Sequence, residues 1–141
     1  MVLRGIYRKI WDMFEDAELK PSLFGLPEGP DSKVFVVDPA NGLDINTGRN
    51  FKRPKKTVPA ALDLCTDNQN DCILLVDGPT ADEQTEELDW NKSYTHLVGL
   101  SGDLAMGQRC RITGGATTDI ANVLKVSGSG CIFRNIQVSN W

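Results

Sequence analysis

The sequence predicts a mainly β protein, and three observations carry this prediction. A β-branched run, KVFVV, lies between Ser32 and Asp38 and is bounded by turn formers. From Cys72 onward, short apolar segments alternate with Gly, Ser, Asp and Asn. Helical patterns are confined to two stretches before Cys72. Short strands joined by small polar turns are typical of a sandwich, a barrel or a β-solenoid.

The first element is an amphipathic helix predicted over residues 1–20. Apolar side chains recur at helical spacing while charged residues collect on the other side, and Pro21 ends the pattern. Such a helix ordinarily packs on its own domain. The alternative interpretation is that it docks to another protein. The docking residues would be Leu3, Ile6, Tyr7, Ile10, Trp11 and Phe14.

Residues 21–32 contain three prolines and two glycines and predict a linker, which sets the helix apart from residues 33–141. The strand KVFVV then leads into a loop and the stretch TVPAALDLC. Thr57 is a favourable N-cap and Pro59 is tolerated in a first helical turn, so a short helix is predicted there.

The loop before that helix offers two alternatives to simple turn chemistry. Asp38, Asn41, Asp44 and Asn46 carry oxygens that suit Ca²⁺, but Ala40 and Gly42 break the ligand spacing of an EF-hand, and turn formation is preferred. A basic run follows, for which a solvated loop or a charge partner of the acidic run 82–89 is preferred over a phosphate site. Its members are Arg49, Lys52, Arg53, Lys55 and Lys56.

After Cys72 the predicted β segments are CILLV, THLVGL, CRITG, VLKVSG and CIFRNIQVS, whereas ADEQTEELDW is interpreted as a solvated loop. A pattern occurs twice in this region: an apolar strand, a Gly/Ser corner, and a second strand that begins with cysteine. The two cysteines of this repeat, Cys110 and Cys131, are 21 residues apart. This spacing is within the range of one solenoid coil, so a β-solenoid is favoured, with both thiols in one interior column.

Composition restricts the possible functions. The net charge of −4 disfavours nucleic acid, and no segment approaches the roughly 20 apolar residues of a membrane span. Charged residues near the start interrupt the apolar core that a secretory signal needs. The four cysteines lack CxxC spacing and are expected to be thiols, so neither a metal nor another cofactor is predicted.

The residues that glycoside chemistry or Ser-His-Asp chemistry would need have structural interpretations in this sequence. The carboxylate pair Asp103 and Asp119 has only turn context, although glycoside hydrolysis needs two carboxylates flanking a cleft. His96 has no nucleophile motif near it and is interpreted as a structural histidine. No catalytic residue is assigned within the chain.

The order of these features resembles pectin-lyase-like right-handed parallel β-helix proteins. The stretches that carry the resemblance are VFVVDPANGLDINTG, RPKKTVPAALDLC, CILLVDGPT, THLVGLSGD, CRITGG and VLKVSGSGCIFRNIQVSNW. The resemblance covers residues 33–141 and implies the first strand, a capping helix and the first coils of such a β-helix. It says little about activity, because one fold hosts many functions.

Within that family the resemblance is strongest to phage spikes and fibres. It implies a structural virion protein, made in the host cytoplasm, that contacts other virion proteins through residues 1–30 and assembles as a homotrimer. A host-surface glycan would be bound by coils downstream of Trp141. The alternatives are a carbohydrate-active lyase, hydrolase or esterase whose active site lies beyond Trp141, and a β-helix interaction module.

Overall fold

The structure, a computed structural model, describes residues 18–100, 110–115 and 119–140. These ranges contain one α-helix, α1 (Val58–Leu64), and a short 3₁₀ helix at Pro21–Phe24. The strands are β1 (Val34–Val37), β2 (Cys72–Val76), β3 (Asp82–Gln84), β4 (Leu88–Trp90), β5 (His96–Leu100), β6 (Arg111–Gly114), β7 (Leu124–Val126), β8 (Phe133–Arg134) and β9 (Gln137–Ser139).

Most of the predicted N-terminal helix lies outside the described residues. The same holds for all six predicted docking residues, which are Leu3, Ile6, Tyr7, Ile10, Trp11 and Phe14. Residues 18–20 are described and are not helical, since Lys20 has an extended backbone with φ −121° and ψ 145°. A helix in this segment therefore does not continue to residue 20.

The described strands form three sheets in which every strand pair is parallel. The first sheet has the order β1-β2-β5-β8, the second β3-β6-β9 and the third β4-β7. From β2 onward, successive strands belong to the first, second and third sheet in turn. Parallel neighbours need a crossover connection. Between β1 and β2 this connection contains α1, and from β2 onward it contains strands of the other two sheets. The prediction of a mainly β chain with parallel strands and one short helix is confirmed.

The register differs from the predicted repeat. Cys72 pairs with Val34 on one side and with His96 on the other, so the offset between paired residues is 38 and then 24. Cys110 and Cys131 precede β6 and β8, which belong to different sheets. The predicted common column of these two thiols is therefore wrong, because a spacing of 21 residues matches neither step.

The main core lies between the three sheets. Phe35, Ile73 and Leu97 face it from the first sheet, Ile112 from the second and Trp90 from the third, and all five are buried. The side chains of Trp90 and Phe133 meet edge to face, with ring centroids 5.0 Å apart. Alternate residues of each strand therefore point inward, as the period of two in a β-strand requires.

A second cluster covers the outer face of the first sheet. Leu19 and Leu26 pack there against Val34, Val36 and Leu74, so both faces of this sheet are buried. The predicted linker 21–32 thus contains a 3₁₀ helix and contributes a buried leucine. Its prolines and glycines shape a segment that lies along the sheet, and Gly25 takes the positive φ that ends the short helix.

Helix α1 forms where the sequence predicts it. Thr57 is the N-cap, and its hydroxyl accepts a hydrogen bond from Ala60 N at 3.4 Å. Val58, Ala61 and Leu62 are buried against the core, and the helix packs on β1 and β2. The helix therefore covers the end of the core at which the first sheet begins.

Two predicted boundaries are corrected. The acidic run 82–89, interpreted as a solvated loop, contains β3 and the beginning of β4, with Asp82, Gln84 and Leu88 buried and the residues between them exposed. The segment CIFRNIQVS forms two strands rather than one, since Asn135 has φ 55° and breaks it between β8 and β9.

Candidate functional site

Two carboxylates from distant parts of the chain hold the N-terminus of α1. Asp82, on β3, accepts a hydrogen bond from Val58 N at 2.8 Å. Asp44, in the loop after β1, accepts from the backbone N–H groups of Lys56 and Thr57, both at 3.0 Å. Backbone N–H groups at a helix start lack intrahelical partners, and negative charge is favourable there. These contacts join the loop, the helix and the second sheet.

An ammonium group holds the other end of the helix. Lys92, which follows β4, donates from Nζ to the carbonyl oxygens of Leu62 and Cys65, both at 2.6 Å, and to that of Asp63 at 3.3 Å. Carbonyl groups at a helix C-terminus lack intrahelical partners and favour positive charge. Helix α1 thus has complementary charges at both ends.

Asp82 is a buried carboxyl group, 3% exposed, at the contact between α1 and the second sheet. The pKa of Asp82 is raised to about 6, chiefly by burial and to a smaller extent by the nearby carboxylate of Asp44, while the hydrogen bonds from Val58 and Gln84 act in the opposite direction. The group is therefore partly protonated near pH 6, whereas an exposed aspartate would be ionised.

His96 has a structural arrangement, as the sequence predicts. Its Nδ1 accepts a hydrogen bond from Ile132 N at 3.0 Å, so Nε2 carries the proton and donates to Asn70 Oδ1 at 3.1 Å. Burial lowers the pKa of His96 because the charged form is desolvated. The neutral ring thus ties β5 to the residue that precedes β8.

All four cysteines are reduced. Burial raises the pKa of Cys65 well above its usual range, and burial raises that of Cys72 to about 12. A thiol with a raised pKa is a poor nucleophile and a poor metal ligand. Cys131 is partly buried, and its Sγ lies 3.2 Å from the carbonyl oxygen of Lys92. These thiols serve as packing and weak hydrogen-bonding groups.

The oxygens of the candidate calcium loop are used in turns. Asp38 Oδ1 accepts from the backbone N–H of Asn41 at 3.2 Å, and Asn46 donates to the carbonyl of Pro54 at 2.9 Å. Asp44 accepts from the start of α1, as described above. Within the described parts of the chain, no group of three or more acidic, cysteine or histidine side chains is placed to hold a metal ion.

The basic run divides into residues with different roles. Lys55 is buried and donates from Nζ to the carbonyl of Asp44 at 2.6 Å. Arg49 forms a 3.5 Å ion pair with Glu18 and lies over the ring of Phe35, 5.6 Å from its centroid. These two basic side chains therefore shape the loop and fix residue 18, and the preferred interpretation of a uniformly solvated run does not hold for them.

Of the two carboxylates that could serve glycoside chemistry, the structure describes one. Asp103 lies outside the described residues, and Asp119 is exposed. A separate acidic groove of about 200 Å³ lies between α1 and the start of β4, and its acidic lining residues are Asp63, Glu86, Glu87 and Asp89. Two of them accept hydrogen bonds from neighbouring side chains, Glu87 from Asn122 and Asp89 from Ser127.

The end of the sheets opposite α1 is open among the described residues. Each inward residue there is less buried than its partner one strand earlier. Ile112 is 0% exposed and its partner Val138 is 42% exposed, while Trp90 is 0% exposed and its partner Val126 is 47% exposed. The fold therefore has a closed end at α1 and an open end at β7, β8 and β9.

Sequence reasoning missed Asp82 and Lys92, the two residues that hold α1 from the second and third sheets. Side chains 82–84 alternate between buried and exposed, as in a half-buried strand. Because both inward residues are polar, the sequence does not show the alternation of apolar and polar residues that predicts a strand. No sequence pattern predicts that Lys92 contacts the C-terminus of α1, because a single lysine in a turn is expected to be exposed to solvent.

No family model, no curated protein and no solved structure matches the chain. A search of the described helices for a membrane span found none that is both long and apolar enough.

Proposed function

We propose that this chain forms the beginning of a right-handed parallel β-helix and acts as the particle-attachment portion of a phage spike or fibre. The observation that carries the proposal is the difference between the two ends of the sheets. One end is closed by α1, whose termini are clamped by Asp44, Asp82 and Lys92. The other end exposes the inward side chains of its last strands.

The order of strands supports the β-helix part of the proposal. Successive strands visit three parallel sheets in rotation around one core, which is the arrangement expected of a solenoid. Terminal repeats of a solenoid need a cap, and α1 is such a cap at one end. The right-handed sense follows from the resemblance described in the sequence analysis and from the preference of parallel crossovers for that hand.

The attachment role belongs to the closed end because the N-terminal segment leaves the fold there. Glu18 pairs with Arg49, whose guanidinium lies over Phe35 on β1, the strand beside α1. Residues 19–26 pack on the sheet, so the part of the proposed contact region 1–30 that remains for docking is mainly residues 1–17. The open end would then point away from the particle, and a homotrimer with a glycan-binding distal part completes the proposal.

Deletion of residues 1–17 tests the attachment role. In the phage that encodes the chain, we expect the shortened protein to fold, since Leu19 and the outer cluster are retained, and to be lost from purified particles. The matched control replaces Val138, at the open end, with Ser, and this variant should enter particles at the normal level. Normal incorporation of the chain that begins at Glu18 would refute the proposal.

The native molecular mass separates the spike proposal from its alternatives. A particle-bound assembly that contains three copies supports it. A monomeric protein that degrades an acidic polysaccharide would instead favour the carbohydrate-active enzyme. A protein that neither occurs in particles nor degrades a polysaccharide would favour the interaction module.

A further inference from the structure

The loop between β1 and α1 contains the only Asn-Gly pair in the sequence, Asn41–Gly42. Asn41 is exposed and Gly42 is buried. Asparagine before glycine is prone to deamidation, because glycine has no side chain to hinder the approach of its nitrogen to the asparagine side chain. Gly42 N loses its proton and bonds to Asn41 Cγ, the Cγ–Nδ2 bond breaks, and that nitrogen leaves as ammonia. Water then opens the cyclic imide to aspartate or isoaspartate.

We propose that the folded loop holds Asn41–Gly42 in an unreactive state, and that neither product of deamidation fits the closed loop. The pair is thus a modification site that becomes reactive only when the loop opens, and its reaction keeps the loop from closing again. The proposal concerns the folded chain by itself and does not depend on the attachment role.

Asp38 binds both of the groups that would react. The backbone N–H of Gly42 donates to the carbonyl oxygen of Asp38 at 2.7 Å. The side-chain Nδ2 of Asn41 donates to Asp38 Oδ2 at 3.3 Å, and the backbone N of Asn41 donates to Asp38 Oδ1 at 3.2 Å. Deamidation needs the proton of Gly42 N to leave and the Asn41 amide to accept attack from that nitrogen. The contacts with Asp38 oppose both steps.

The residues that follow Gly42 keep this arrangement closed. Leu43 N donates to the carbonyl oxygen of Pro54 at 3.1 Å. Lys55 donates from Nζ to the carbonyl oxygen of Asp44 at 2.6 Å, and the Asp44 carboxylate holds the start of α1. Opening the loop therefore breaks several hydrogen bonds at once, so the open form is a small fraction of the population.

Each product conflicts with the closed loop for a different reason. Isoaspartate lengthens the backbone by one carbon atom beside Gly42, where there is no space. A Cβ added at Gly42 would collide with the carbonyl oxygen of Lys55 and lie 2.6 Å from that of Asp38. Aspartate keeps the backbone length but replaces the donor Nδ2 with an oxygen that faces the carboxylate of Asp38. Two carboxylates at this separation repel each other.

The rate of deamidation tests the first part of the proposal. Mass spectrometry after incubation in mildly alkaline buffer follows Asn41 in the full chain and in a synthetic peptide, VDPANGLD. The full chain should react at least about tenfold more slowly than the peptide, since it reacts only through the open loop. Asp38→Ala removes the carboxylate that binds Asn41 and should raise the rate towards that of the peptide. Asp119→Ala, which removes an exposed aspartate elsewhere, should leave the rate unchanged.

Urea denaturation tests the second part, because Asn41→Asp reproduces one of the two products. This substitution should lower the urea midpoint. The shift should be smaller in the Asp38→Ala background, where the opposing carboxylate is absent. Asn91→Asp is the matched control, since Asn91 is an exposed asparagine in the turn after β4. It should leave the midpoint nearly unchanged.

Two results would overturn the proposal. One is deamidation of Asn41 in the full chain as fast as in the peptide, which would show that the loop gives no protection. The other is an equal change in midpoint for Asn41→Asp and Asn91→Asp, which would show that the product fits the closed loop. Slow deamidation that Asp38→Ala accelerates, together with a midpoint that Asn41→Asp lowers chiefly when Asp38 is present, would support it.

Discussion

Replacing Asp82 with asparagine is expected to change the pH dependence of stability. The pKa of this carboxyl is about 6 in the folded protein, because the group is buried, against 3.8 as the ordinary value. The folded state therefore binds the proton more tightly than the unfolded chain does. The stabilisation from this group is fully present below pH 3.8 and is lost as the pH rises through about 6.

The size of the effect follows from the two pKa values. A rise from 3.8 to about 6 is a shift of about 2.2 units. At about 1.36 kcal/mol for each unit, the wild-type protein loses about 3 kcal/mol of unfolding free energy through this group between low pH and pH 8. Asparagine retains an oxygen that accepts the hydrogen bond from Val58 N but does not ionise, so the variant lacks this loss.

Urea denaturation between pH 4 and pH 8 measures the difference between the two proteins. The free energy of unfolding of Asp82→Asn, minus that of the wild type, should increase by about 2 to 3 kcal/mol over this range. His96 contributes equally to both proteins and cancels in the subtraction. Glu83→Gln, on the same strand but exposed, is the control and should show a nearly constant difference. A constant difference for Asp82→Asn would refute the reasoning.

Three further substitutions test the contacts of Lys92 with α1, the close packing at Gly99 and the neutral form of His96. Lys92→Met removes three hydrogen bonds to carbonyls at the end of α1 and should lower the unfolding free energy by about 2 kcal/mol in urea denaturation. Gly99→Ala would place a Cβ 1.9 Å from the carbonyl oxygen of Asn135, and should lower the thermal midpoint through a loss of about 2 kcal/mol or more. In the Asp82→Asn background, stability should fall as the pH falls below about 6.5, since the unfolded chain then binds a proton that the folded His96 resists, and His96→Gln should remove this slope.

The chain offers matched controls for these substitutions. Lys125 is an exposed lysine on β7, so Lys125→Met should change stability by less than about 0.5 kcal/mol. A Cβ added at Gly78 meets no heavy atom within 4 Å, and Gly78→Ala should be tolerated. Equal changes in stability for Lys92→Met and Lys125→Met, or for Gly99→Ala and Gly78→Ala, would contradict the role assigned to Lys92 or Gly99.

The parts of the fold that the sequence predicted are those with strong local signals. Helix α1 begins at a capping threonine, and β1 and β2 are uninterrupted apolar runs. Their identity depends on residues next to each other in the chain. Both faces of the first sheet are buried, which explains why its strands lack alternation.

The parts that the sequence did not predict depend on contacts between distant residues. Strand β3 was missed because its inward positions are Asp82 and Gln84. Asp82 is tolerated inside because α1 offers a backbone N–H and Gln84 a further hydrogen bond. The predicted repeat of 21 residues was wrong because the connections between paired strands differ in length, with offsets of 38 and 24 residues in the first sheet. Nothing local marks Leu19 and Leu26 as buried, since their partners lie on the first sheet.

The clamped helix also determines how such a molecule could polymerise. A stack of parallel strands with two open ends has unpaired edges that match one another, so copies can join head to tail into an unlimited filament. At the end where α1 packs, the outer edge of β1 already pairs with the loop that follows it, since Val36 N donates to the carbonyl of Gly48 and Asp38 N donates to the carbonyl of Lys55, so this edge is not free for growth. A second copy cannot extend the first sheet from this side, so the segment that leads into α1 also protects the protein against fibre formation.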